Sequence, residues 1–191
     1  ARDSEITGYN LVMGNAGFAS LAATIGGEYN FTHSTFANYW NRGIRQLPAV
    51  LVNNYQDNEE ESGQVTRVIN DLIAANFTNC IFDGNSNIEF VLDKVEGSVF
   101  DYSVSNSMLR FNDVIGAFAN NIELDFTNPN YQNNILNGFL HFRNPQKNDF
   151  VIGQDSDAIN KAISTLFSMD ILGVDRSISP DIGAYQHVIF E

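Results

Sequence analysis

Tyr39, Trp40, Asn41, Arg42 and Arg45 crowd into one stretch that has no strand pattern. It holds the chain's single tryptophan and two of its ten basic residues. Aromatic faces carry large contact areas, and Trp and Arg dominate binding hot spots. Tyr39, Trp40, Arg42 and Arg45 are therefore the expected binding residues, for a glycan or a protein partner. The same residues could equally pack a loop onto the layer below. A second constellation, Asp170, Asp175, Arg176 and Asp181, would suit either a cation or anionic sugar, or a polar closure in which Arg176 bonds carboxylates or free carbonyls. The closure is the expected role, with Asp170, Arg176, Asp181 and Tyr185 as a structural cap.

Other reactive side chains point to less. Asp155 and Asp157 lack the longer acidic series and closing Glu of a calcium loop, and Glu59, Glu60 and Glu61 read as a solvated run. His33, His141 and His187 have no zinc spacing. Cys80 falls where related segments carry serine, so buried filler is its expected role. No catalytic residue, metal ligand or cofactor is expected, and calcium would have no motif to hold it.

The elements that must position these residues follow from a repeat. Phe31 to Phe36, Phe77 to Phe82 and Val104 to Leu109 share one pattern: apolar, hydroxyl, Asn or His, small, variable, apolar. Ile6 to Leu11 reads as a weaker copy. The copies start at 6, 31, 77 and 104, so they lie 25, 46 and 27 residues apart. Spacings of this order belong to solenoids. The long interval contains Asp57 to Gly63, expected to project as an acidic loop over 56–64. Leu21 to Ile25, Ala49 to Val52, Ile88 to Leu92 and Ile122 to Phe126 read as further strands. A short helix over Gln64 to Ala75 is the one rival pattern. The 25 asparagines lie beside these runs and mark turns. Stacking would place His33, Asn79 and Asn106 in one polar ladder, with Ser34, Cys80 and Ser107 as small inward neighbours.

The fold class expected is all-β: a right-handed single-stranded parallel β-helix of about five coils, one domain over 1–191, with a terminal coil and cap over 149–191. A chain of 191 residues with 43% apolar content can bury such a core. Its formal net charge of -13 argues against nucleic acid and against anionic bilayer surfaces. No apolar run is long enough to span a membrane. One cysteine rules out an internal disulfide framework. Because Ile6 already belongs to the repeat, the chain reads as the C-terminal portion of a longer protein, with export signal and anchor upstream.

The succession Asp149 to Ile152, Asp155 to Asn160, Asp170 to Arg176 and Pro180 to Tyr185 resembles the closing segment of bacterial parallel β-helix proteins related in fold to pectate lyases, of the choice-of-anchor Q domain type. Asn79 to Asn85 resembles one of their coils. Gln186 stands where that family usually has Glu, and Asp157 where Pro is common. The resemblance implies an exported bacterial surface protein, associated with the outer membrane, and no particular reaction. Polysaccharide lyases of this fold class imply Arg110 as a candidate base, with Asp83, Asp101 and Asp113 as acidic partners. The expected function is non-catalytic binding of a glycan or surface protein; a lyase or hydrolase acting on acidic glycans and a structural subunit of an outer-membrane assembly are the alternatives.

Overall fold

The computed structural model describes residues 1–61 and 63–191. Among them the strands are β1 (Arg2–Tyr9), β2 (Val12–Gly14), β3 (Leu21–Thr32), β4 (Thr35–Asn38), β5 (Val50–Asn53), β6 (Tyr55–Glu59), β7 (Val65–Ile69), β8 (Leu72–Thr78), β9 (Ile81–Gly84), β10 (Phe90–Asp93), β11 (Ser103–Ser105), β12 (Met108–Leu109), β13 (Tyr131–Gln132), β14 (Ile135–Leu136), β15 (Phe142–Asn144) and β16 (Asp149–Ile152). The fold is all-β, with strongly curled parallel sheets; two 3-10 turns are the only helical elements among the described residues.

Register makes the core. In one sheet Gly8, Phe31, Phe77, Val104 and Tyr131 lie side by side. In the next, Met13, Phe36, Phe82, Leu109 and Leu136 do the same. A third row aligns Leu21, Val50 and Phe90. Like side chains therefore meet face to face. Phe31 and Phe77 stack with centroids 5.6 Å apart, and Phe36 and Phe82 at 5.5 Å. Phe31 meets Phe36 edge-on at 5.2 Å. Each such pair adds about 0.5–1.5 kcal/mol beyond its burial.

The corner between the first two sheets explains the repeat's third position. Asn10, His33, Asn79, Asn106 and Asn133 all take left-handed backbone, with φ of 51°, 47°, 58°, 47° and 53°. Asn visits that region more readily than most L-residues because its short amide bonds locally. The following Ser34, Cys80 and Ser107 are fully buried, and Ser107 Oγ accepts from the Cys80 amide at 2.9 Å. The repeat frame holds at 31, 77 and 104. It slips at the first copy, which begins at Gly8 and not Ile6, because Leu11 occupies the space a Cβ at Gly8 would need, 2.5 Å from its Cδ1. A further copy, Tyr131 to Leu136, follows the same register.

Other expectations divide. Leu21, Val50 and Phe90 head real strands, but Ile122–Leu124 forms a 3-10 turn and not a strand: Asn121 accepts from the Glu123 amide at 2.9 Å, and Tyr131 donates to the Glu123 carbonyl at 2.7 Å. The helical pattern from Gln64 to Ala75 is strand in β7 and β8. β6 and β7 pair as an antiparallel hairpin, closed by Arg67 Nε donating to Asp57 at 2.5 Å, with the guanidinium 4.6 Å from the Tyr55 ring centroid. This hairpin lengthens the middle interval. Ser62 in its acidic tip lies outside the described residues.

The C-terminal stretch runs across the side of the strand stack along the Asn corner. Asn106 donates to Lys161, Asn79 to Ile163 and Asn10 to Met169, all at backbone carbonyls. Phe167 stacks on Tyr9 at 4.0 Å. Returning, the chain gives its Gly183 amide to the Asn79 carbonyl and its Ala184 amide to Thr35 Oγ1.

Candidate functional site

The segment after β14 overhangs a concave face. β15 and β16 pair antiparallel and fold back over the outer face of the second sheet. Phe142 and Phe150 meet at 5.4 Å, and Tyr39 packs on Phe150 at 6.3 Å. Gly14 permits this approach: a Cβ there would meet the Phe150 ring at 2.7 Å and the Ala37 carbonyl at 2.5 Å. The turn between β15 and β16 is tied down by Asn15, which donates to the Pro145 carbonyl at 3.1 Å, and by Asn41, which donates to Gln146 at 2.9 Å.

The overhang leaves three depressions in a row. The first, about 370 Å³, is lined by Asp83, Leu109, Arg110, Asn112 and Leu140 among others. The second, about 320 Å³, shares Asp83 and Arg110 and adds Tyr39, His141 and Phe142. The third, about 220 Å³, shares Tyr39 and adds Trp40, Arg42, Asn15, Gln146 and Asn148. Arg110, Asp83, Tyr39 and Asn15 continue or belong to the neighbouring strands β12, β9, β4 and β2. Three strand spacings of about 4.8 Å make the row roughly 14 Å long.

At its centre the Tyr39 hydroxyl donates to the buried Asp83 carboxylate. Arg110 lies beside them, Nη1 3.5 Å from Asp83 and Nε donating to the Ser86 carbonyl at 2.8 Å. Burial pushes the Asp83 carboxyl above its ordinary range, against the opposing pull of Tyr39 and Arg110. Burial, reinforced by the Asp83 charge, raises Tyr39 as well. Among the described residues lining these first two depressions, Asp83 is the only carboxylate. Glycoside hydrolysis by paired carboxylates needs two. The arrangement sets aromatic faces, amides and the guanidinium groups of Arg42 and Arg110 along a linear groove.

Of the expected binding residues, Tyr39, Trp40 and Arg42 line the third depression, with Trp40 half-buried over Gly17, whose absent Cβ would lie 3.2 Å from the ring. Arg45 turns away. Its side chain is 2% exposed, paired with a Glu89 side chain at 0%, and it also bonds Leu47 O, Asn38 O and Ser86 Oγ. Gly84 leaves the space this needs, since a Cβ there would lie 2.1 Å from Glu89 Oε1. Of the three acidic partners considered for Arg110, only Asp83 adjoins it. Asp113 spends both oxygens on the Ala117 and Phe118 amides, and Asp101 precedes β11 alongside β8, its carbonyl accepting from Ala75.

Asp170, Arg176 and Asp181 are buried and Tyr185 half-buried, along the flank of the stack. Arg176 bonds the Gly183 and Ala184 carbonyls at 3.1 and 3.0 Å. Asp170 accepts from Leu172, Val174 and Gln186 amides, and Asp181 from Asn160 and His187. Gln186 in turn accepts from the Asp181 amide at 2.7 Å. Asp157 accepts from the Phe139 amide, and Asp155 lies 3.4 Å from His141. No group of three or more His, Cys, Asp or Glu converges as a metal site among the described residues, and no helix there is long and apolar enough to cross a membrane. Sequence reasoning missed the bond from Tyr39 to Asp83 and the overhanging turn with Gln146 and Asn148, for which no local motif exists.

No family model, curated protein or solved structure matches this chain.

Proposed function

We propose that this chain is a right-handed parallel β-helix from a bacterial surface protein, and that its lateral groove binds a glycan without catalysis. Parallel register across successive strands and the recurring left-handed Asn corner support the β-helical reading. Binding rests on one observation: Trp40, Tyr39 and Arg42 line a depression whose other walls are the amides of Asn15, Asn41, Gln146 and Asn148. An aromatic edge among amides suits the apolar face and hydroxyl rim of a sugar. The linear row of depressions suits an extended chain of sugars better than a single small molecule.

The test is retention of the protein on a glycan array, beside a pull-down from native cell envelope, for wild type and Trp40→Ala. Loss of glycan retention with an unchanged melting temperature supports the reading. If the variant keeps its glycans, the Trp40 depression is not the binding site; if the array is blank while a membrane protein is captured, glycan binding is rejected. One second reading has its own observation, since Arg110 and Asp83 share the groove. Release of unsaturated product from an acidic glycan would establish that lyase activity.

A further inference from the structure

The first depression carries a guanidinium with an unpartnered nitrogen, on a chain with 23 acidic against 10 basic residues. Arg110 has five N–H groups. One makes a good hydrogen bond, from Nε to the Ser86 carbonyl at 2.8 Å. The contact of Nη1 with Asp83, at 3.5 Å, is longer than an N–H···O bond. Nη2 has no partner among the described residues, and the side chain is 42% exposed. Asn112, exposed on the same wall, makes no side-chain hydrogen bond there either.

The acceptors nearby are already engaged. Asp83 takes the Tyr39 hydroxyl, and Asn137 exchanges both its amide bonds with the Phe111 backbone. Leu109, 1% exposed, forms an apolar floor. A guanidinium whose Nη2 is unpartnered and whose Nη1 is held only at 3.5 Å from Asp83, beside a free amide, matches an oxyanion. The Asp83 charge opposes such a ligand, but its carboxyl is buried, bonded by Tyr39 and shifted toward its neutral form.

We infer that Arg110 and Asn112 form a subsite for a charged substituent of the bound glycan, the carboxylate of a uronic acid or a sulfate ester. The inference rests on the groove being the glycan site. It adds that the sugar seated beyond Tyr39 is acidic, on a protein whose net charge would otherwise repel it.

Calorimetric titration of the intact chain with three matched oligosaccharides tests it: a uronide, its carboxyl-reduced neutral form, and a sulfated derivative of that neutral form. At least one charged ligand should bind tenfold or more tighter than the neutral one, and which one identifies the substituent. Arg110→Gln should remove that preference. Asn112→Asp places a carboxylate in the cleft without breaking any contact, and should reverse the preference. Trp40→Ala should weaken all three ligands alike. Equal binding of charged and neutral forms, or a preference that survives Arg110→Gln in a folded protein, overturns the subsite and leaves glycan binding standing. Failure of all three ligands to bind rejects both readings.

Discussion

His33 is completely buried at the left-handed corner, and its protonation is the most sensitive probe of how the C-terminal stretch is held. Asn79 donates to its Nε2 at 3.0 Å, which leaves the neutral ring's proton on Nδ1. Burial first, and then the Arg176 charge, lower its pKa from 6.5 to about 3, while the neighbouring Gly183 and Asp181 backbone pulls weakly the other way. Because the folded-state value is depressed, the unfolded chain takes up a proton below about pH 6.5 that the native chain refuses. Stability from this site is therefore complete above pH 6.5 and falls as the pH drops, with a limiting slope of about 1.4 kcal/mol per unit. The full shift corresponds to about 5 kcal/mol, of which about 3 is lost between pH 6.5 and 4. Asp83 and Glu89, whose folded pKa values are raised, contribute in the opposite direction, so the wild type alone is not diagnostic. The control is His33→Asn, which keeps an amide of the kind found at Asn79 and Asn106 and tolerates φ near 47°. Urea unfolding of both proteins at several pH values should show the variant gaining about 3 kcal/mol on the wild type between pH 6.5 and 4. A stability difference independent of pH, or an imidazole resonance titrating near 6.5, would show that His33 is not held neutral by burial and that the packing assigned to this corner is wrong.

Two further outcomes follow from the same structure. Arg45→Gln strands the buried Glu89 carboxylate and should destabilise by about 3–5 kcal/mol, read as a lower urea midpoint with an unchanged slope; a loss under about 1 kcal/mol would place Arg45 at the surface after all. Burial pushes the Cys80 thiol up to about 12, so it should resist a thiol reagent at pH 8 until the chain unfolds, and Cys80→Ser should keep the fold because Ser34 and Ser107 fill the same place on adjacent strands.

What the sequence made legible was whatever a single strand dictates to itself. Asn79 and Asn106 announce the corner because left-handed backbone selects Asn at that one position, and Phe31 and Phe77 announce the core because register stacks like on like. The same local logic failed where one residue's space was filled by another. Gly8 occupies an inward position that Leu11 covers, so a frame starting at the apolar Ile6 falls two residues short of the true register. Tyr131 to Leu136 shares the register, but Gln132 and Asn134 stand where the other copies carry a hydroxyl and a small residue, while Ile122 to Phe126 alternates like a strand yet forms a turn, since Asn121 and Tyr131 capture its backbone. The groove was legible only in part for a different reason. Trp40 and Arg42 carry their chemistry in their type, but what surrounds them is set by contacts at long range. Arg45 and Glu89 are separated by 44 residues and Asn41 and Gln146 by 105. No periodicity encodes such pairings. They depend on where β15 and β16 fold back, which Gly14 permits by having no side chain. Gly14→Ala is thus the sharpest link between fold and groove: its Cβ would lie 2.5 Å from the Ala37 carbonyl and 2.7 Å from the Phe150 ring, so the overhang must shift. Glycan retention should then fall without any change to Trp40, Tyr39 or Arg42, and retention at the wild-type level would mean that the overhanging turn is no part of the binding site.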